Sequence, residues 1–264
     1  MQMRTAICCI AKNEDDYLFE WSDYHYRLGF DEIHVLQHGD WRYAGRMHPA
    51  MRFGQFRQSM HQRDALNMWL DEHRMDFDWV AFFDVDEYLV LKNGDNSVKD
   101  FLLRYDNFGA VAINWRRFGD SGLEDNGDRR VVERFTRCEP SLSQEVKLIA
   151  HTARLSSEAH LADAHTILPL DGVVNCVGNQ VTDWMINQRN LPECLGIAQL
   201  NHYFTKTRGE WKRKVDTSRG YFYSDSDYEW RLGLFEHYHA GKYNESEDMS
   251  ALNFQWTGNF LYNT

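Results

Sequence analysis

At 264 residues, 43% hydrophobic and 14% aromatic, the chain can bury a sizeable core and has the composition of a globular protein. Its 40 acidic and 29 basic residues leave a formal charge of −11, which excludes a general nucleic-acid binder. No apolar run approaches the ~18 residues of a membrane-spanning helix.

The first element is "TAICCIA" (5–11), a β-rich apolar run with the continuity of a strand buried on both faces. "DDYLFEWSDYHYRLG" follows with helical spacing, and Gly29 is placed to end that helix. "DEIHVLQH" reads as a second strand ending at Gly39-Asp40, while 41–58 lack periodicity and read as loop. "QSMHQRDALNMWLDEHR" is a second amphipathic helix, and "DWVAFFDVDEYLVL" a third strand with its exit. Beyond it, "GAVAINWRRFG", "EVKLIAHTARL" and "AQLNHYFTK" read as strands and "RGEWKRKVDTSRG" as a helix. The tail from Tyr238 is expected to pack back as a final helix. With four prolines, no low-complexity linker and no repeat, residues 1–264 form one domain. Residues 1–92, through "DVDEYLVL", read as its first half, which 93–264 elaborate.

Strand–helix–strand–helix–strand order implies an α/β fold with a Rossmann-type, mostly parallel sheet flanked by helices. Ligands of such sheets bind beyond the carboxyl ends of the strands. Here those ends read Lys12-Asn13-Glu14, His38-Gly39-Asp40 and Asp84-Val85-Asp86, all polar. Asp84 and Asp86 stand i and i+2 on an extended chain, so both carboxylates lie on one side. Oxygen ligands at that spacing suit Mg²⁺ or Mn²⁺, which keep positions for phosphate and water. An isolated DxD is more often a solvated acidic turn, but here an apolar strand leads into it. A haloacid-dehalogenase-type phosphohydrolase also uses an acid pair after a strand; Tyr88 and the late position of the motif weaken that reading. Nucleotide-sugar binding, with a metal neutralising a diphosphate leaving group, fits the preceding nucleotide-binding half. A carbohydrate- or nucleotide-binding module without catalysis is the remaining alternative.

The five cysteines, Cys8, Cys9, Cys138, Cys176 and Cys194, are scattered and lack a CxxC pair. They read as reduced thiols, with no zinc site. "MQMRTAICCIAKNE" meets acids too soon for a signal peptide, so the expected setting is cytoplasmic, at the inner face of the membrane if a membrane is involved.

Taken together, "AICCIAKNEDDYLFEWSDYHYRLGFDEIHVL", "DWVAFFDVDEYLVL", "INWRRFGDSG" and "LNHYFTKTRGEWKRKVDTSRG" resemble glycosyltransferase family 92 and its family 2 relatives, over most of residues 5–222. The resemblance implies a GT-A-like fold, with 1–92 as a nucleotide-binding half and 93–264 as an acceptor-side half with the tail, and an inverting, metal-dependent transferase with a UDP-linked donor and a glycan or glycolipid acceptor. It places Lys12, Asn13, Glu14 and Asp40 against the nucleoside. Asp84 and Asp86 would face ribose and metal, with His202 of "NHY" as a late metal ligand. Glu87 would orient its neighbours or touch the donor sugar. A developing charge on the β-phosphate calls for a cation: Lys206 first, then Arg208, Lys212 and Lys147. Trp115 and Phe118 offer aromatic faces to sugar, or pack in the core. Asp120, in the glycine-flanked "FGDSG", is a candidate general base, with Glu133 and Asp183 as rivals. His151 and His165 carry no pattern separating ligand from core histidine.

Overall fold

The computed structural model describes residues 2–252 apart from 58, 125–126, 128, 164, 169–171, 182–191, 218–224 and 240–241. Strand β1 (Thr5–Ala11) alternates its side chains between two cores. Ile7, Cys9 and Ala11 face the core that holds Leu18, Trp21 and Tyr24 of helix α1 (Leu18–Arg27). Ala6 and Cys8 face the opposite core, with Leu66, Trp69 and Leu70 of helix α2 (Gln62–His73). A helix on each face is why the run carries no polar alternation. Gly29, at φ +109°, ends α1 in the left-handed region as expected.

Strand β2 (Glu32–His38) runs parallel to β1, and β3 (Met51–Phe56) parallel to β2. The expectation of loop throughout 41–58 is therefore corrected. β3 forms the sheet's edge with Arg52 and Gln55 exposed, so its sequence lacks an apolar pattern. Strand β4 (Trp79–Ala81) pairs in parallel with the other side of β1.

The sheet then changes character. After β5 (Glu87–Leu91) come helix α3 (Val98–Leu102), β6 (Ala110–Arg117), helix α4 (Val131–Arg134), β7 (Arg137–Cys138) and β8 (Val146–His151). β8 lies antiparallel between β4 and β6. The hairpin β9 (His160–Leu161) and β10 (Ile167–Leu168) stands apart from the main sheet. β11 (Val173–Asn175) pairs with the start of β6; after helix α5 (Pro192–Leu195), β12 (Ala198–His202) pairs with its end. Among the described residues the sheet has nine strands, and β5, antiparallel to β12, closes it. The stretch read as a third strand and its exit is thus two strands: β4 stops at Ala81, the chain turns through 84–86, and β5 departs for β12.

β5 is the last strand of the sheet, and side chains of α1 cover its backbone. Trp21 Nε1 donates to the Glu87 carbonyl at 2.6 Å, Tyr24 OH to the Leu89 carbonyl at 2.8 Å, and Leu89 N–H donates to His25 Nε2 at 3.3 Å. These bonds satisfy an edge that would otherwise expose unpaired groups. Burial pushes His25 down to about 3, so it stays neutral in this role. Helices α6 (Arg208–Thr217) and α7 (Asp225–His239) pack together, and β13 (Ser246–Glu247) pairs with β7. Within the described tail, 242–252, turns and β13 replace the expected helix. Asp248 anchors this tail to Arg116 and Lys92. All five cysteines are buried thiols.

Candidate active site

The β4–β5 corner puts Asp84, Asp86 and Glu87 within one turn of chain. Glu87 N–H donates to the Asp84 carbonyl at 3.0 Å, and Asp84 N–H returns a bond to Glu87 Oε2 at 2.8 Å. Tyr203 N–H donates to the Asp86 carbonyl at 2.9 Å, tying the corner to the end of β12. The three acids meet different surroundings. Glu87 is fully buried, and burial pushes its carboxyl well above the usual range even with Lys147 3.6 Å away. Lys147, from β8, donates to Asp84 Oδ2 at 2.8 Å. Burial alone would lower its pKa, but Asp84 and Glu87 more than offset this, so it is a cation at neutral pH. Asp84 remains 48% exposed.

Asp86 is nearly buried. Lys214 of α6 donates to its Oδ2 at 2.7 Å, and His202 Nε2 lies 3.6 Å from its Oδ1. Burial would raise the Asp86 pKa, but Lys214, His202 and Lys206 outweigh it and hold the carboxyl well below its usual range. Burial pushes His202 down, against the pull of Asp86. Its ring packs 4.1 Å from that of Trp115, which in turn lies 5.0 Å from His165.

Beside this corner is a cavity of about 620 Å³, lined by Lys12, Asn13 and Glu14 from the end of β1, His38 from β2, and Lys206 and Lys214. Asn13 (φ 59°) and Lys206 (φ 54°) are two of the three non-glycine residues with positive φ among those described. Such backbone is uncommon, costs stability, and tends to cluster at ligand sites. Lys206 Nζ sits 4.2 Å above the Tyr17 ring, and burial lowers its pKa. Burial also pushes Glu14 up to about 7; Lys206 and Lys214 oppose the shift, and Asp86 and Asp84 add to it.

Among the described residues, no three Asp, Glu, His or Cys side chains form a ready metal cage. A Mg²⁺ or Mn²⁺ ion that arrives with a nucleotide does not need one, because it takes one or two carboxylates and fills its shell with phosphate and water. Asp86 Oδ1 facing His202 Nε2, with the half-exposed carboxylate of Asp84 at the same corner, is a donor set of that kind.

A family model described as glycosyltransferase family 92 matches residues 13–257. The chain belongs to glycosyltransferase family 92. It is therefore a glycosyltransferase, acting on a sugar donor and an acceptor. No curated protein matches it.

Not every residue singled out in the sequence of this family 92 chain joins the site. Asp40 is exposed beyond Gly39 and does not line the cavity. Asp120 accepts from Gly122 N–H at 2.9 Å and Asn244 Nδ2 at 2.8 Å, within a turn bound to the tail. Glu133 is held by Arg130, which lowers its pKa, and it lines a second cavity of about 820 Å³ with Glu20 and Arg46. The two cavities share Asp16, Tyr17 and Glu210. Asp183 lies outside the described residues. Phe118 is 1% exposed and packs on Tyr203, so it is core and offers sugar no face. His151 pairs with Asp106 and packs on Trp79.

The helical lysine that reaches the acids of this transferase is Lys214, which the sequence reading passed over. Lys212 pairs with Asp216 at 2.5 Å, and Arg208 with Glu236. Helical phase is the signal that finds Lys214: it lies three and four residues beyond Trp211 and Glu210, both buried on the face that docks α6.

Proposed function

We propose that this family 92 glycosyltransferase moves a sugar from a UDP-linked donor to a hydroxyl of a glycan or glycolipid, with Mn²⁺ or Mg²⁺ as cofactor and inversion at the anomeric carbon. The observation that supports this reading is Lys214, which donates to Asp86 at the β4–β5 corner and, with Lys206, lines the cavity at the carboxyl ends of β1 and β2. Asp86 and His202, with Asp84, would hold the ion, which when bound neutralises the diphosphate leaving group. Lys206 and Lys214 donate to diphosphate oxygens as charge develops there. Lys147 is too deeply buried to reach a ligand and serves to fix Asp84. Lys12, Asn13 and His38 line the nucleoside end of the cavity, while Trp115 does not line it and packs on His202 and His165 instead.

Glu14 is the carboxylate of this cavity held near neutrality, which suits it to accept the proton of the acceptor hydroxyl. Attack from the side opposite the diphosphate inverts the centre. No helix among the described residues is long and apolar enough to cross a membrane. The setting we propose is cytoplasmic, with any contact to the inner membrane face made through a local basic patch or a partner.

UDP binding measured with Mn²⁺ and with EDTA, together with UDP release from a panel of UDP-sugars, tests this reading. Metal-dependent binding and release from one or a few donors are expected. UDP binding indifferent to metal would overturn it. Hydrolysis of aryl phosphates that disappears in Asp84→Asn would favour a phosphohydrolase, and binding without turnover a silent module.

A further inference from the structure

Each acid of the Asp84–Asp86 pair has one carboxylate oxygen held by a lysine, but the two lysines are not equivalent. Lys147 is 1% exposed and enclosed between Asp84 and Glu87. Lys214 is 38% exposed and lines the cavity, while Asp86 behind it is 9% exposed. The Lys214 ammonium rests 4.7 Å from the centre of the Phe204 ring and 3.5 Å from the Phe204 carbonyl oxygen, a weaker bond than its 2.7 Å contact with Asp86. Lys214 thus stands between a buried carboxylate and an open space lined by further cations, Lys206 among them, and by carboxylates such as Glu14.

A buried carboxylate needs a counter-charge, and removing it is costly unless another replaces it. In the ligand-free chain Lys214 supplies that charge to Asp86. A divalent ion brought to the same carboxylate would stand beside this ammonium, and the two cations repel. A diphosphate in the cavity would offer Lys214 a second anion within reach of its flexible four-carbon stem. We propose that Lys214 is an exchangeable counter-ion: it holds Asp86 while the cavity is empty, and passes to the diphosphate when a nucleotide enters, freeing Asp86 for the divalent ion. The proposal rests on the reading of this cavity as a nucleoside-diphosphate site. Nucleotide and cation then strengthen each other's binding through Lys214, in addition to their direct contact, and the coupling is reciprocal.

Binding of Mn²⁺, followed by the electron paramagnetic resonance signal of the free ion with and without UDP, tests this in the wild type and in Lys214→Met, Lys206→Met and Lys214→Arg. Lys214→Met should bind Mn²⁺ alone about tenfold more tightly than wild type, bind UDP in EDTA about tenfold more weakly, and show a smaller gain in Mn²⁺ affinity on adding UDP. Lys206→Met should weaken UDP and, because Lys206 also acts on Asp86 through its charge, tighten Mn²⁺ by less than Lys214→Met, which also removes a hydrogen bond to that carboxylate. Lys214→Arg keeps the counter-charge and adds a bidentate hold, so it should fold and bind Mn²⁺ several-fold more weakly. If wild type binds UDP in a metal-dependent way but neither Lys214 variant shifts Mn²⁺ affinity, the exchange is refuted and the donor site stands. If no protein in the set binds Mn²⁺ even with UDP, the exchange and the metal-dependent donor site both fall.

Discussion

Lys147 is solvated by carboxylates: Asp84 Oδ2 at 2.8 Å and Glu87 Oε2 at 3.6 Å, with 1% of its side chain exposed. Lys147→Met would leave Glu87 buried without a cation, and Asp84 free to move. The half-exposed Asp84 can turn to water and Glu87 can hold a proton, so the expected loss is about 2 kcal/mol, the scale of an unsatisfied buried group. Urea denaturation reads it; a loss below ~0.5 kcal/mol would show that the pair is not a stabilising feature. Glu14 makes a prediction of a different kind. If it accepts the acceptor proton, Glu14→Gln should lower kcat by about 10²–10⁴ with UDP affinity retained, and remove an ionisation near pH 7 from the kcat/KM profile, which reports the free enzyme. A surviving limb near pH 7 would hand the role to another carboxylate. At this scale the sequence carried the strand-end acids, Glu14, His202 and Lys206, because each sits in a short distinctive block. It did not separate Lys214 from its basic neighbours in "KTRGEWKRK", because only the docked face of a helix does that.

Among the elements, β1, α1, β2, α2, β6, β8, β12 and α6 were legible because apolar periodicity marks elements that face a core. β3 was not, since an edge strand takes its order from β2 while its outer residues stay polar. The break between β4 and β5 was hidden because both halves are apolar; it is the hydrogen bonding of α1 and β12 that draws β5 away. The same dependence of element on element governs α6. Glu210, 2% exposed at its side chain, accepts from Arg134 at 2.9 and 3.0 Å, from Tyr17 OH at 2.7 Å and from Thr207. Burial would raise its pKa, but these donors bring it down to about 2. Glu210→Ala strands the Arg134 guanidinium and is expected to cost about 3–5 kcal/mol. Because α6 carries Lys214 and follows directly on Lys206, UDP affinity should fall with it, whereas Lys212→Ala on the exposed side of the helix should change neither quantity measurably. Equal effects from the two substitutions would mean that Glu210 does not dock the helix.

At the level of the whole molecule, buried titratable groups set how stability follows pH. Glu210 and Asp248, lowered to about 2, stabilise the fold above the unfolded carboxylate range, and that contribution is lost as pH falls toward 2. Burial holds His25 at about 3 and His34 at about 4, so the unfolded chain binds protons first and stability also falls as pH drops below about 6.5. Glu20 acts in the opposite sense. Burial pushes it up to about 7, against hydrogen bonds from the Val131 N–H at 2.9 and 3.1 Å and the charges of Arg130 and Arg134. Its folded pKa exceeds the unfolded value of about 4.3, so the folded chain keeps a proton that the unfolded chain has already lost. Its contribution is whole below about pH 4.3, declines as pH rises to about 7, and is level beyond. Glu20→Gln removes the ionisation and keeps an oxygen for Val131. The melting temperature of the variant, minus that of wild type, should therefore be smallest at about pH 4.3 and below, grow through pH 7, and hold a positive plateau at pH 8. The chain's net charge of −11 also disfavours compactness at higher pH, but it acts on both proteins almost equally and drops out of the difference. A difference independent of pH would show that Glu20 does not titrate between the folded and unfolded states, and that its carboxylate is stabilised by the Val131 amide more than burial opposes it.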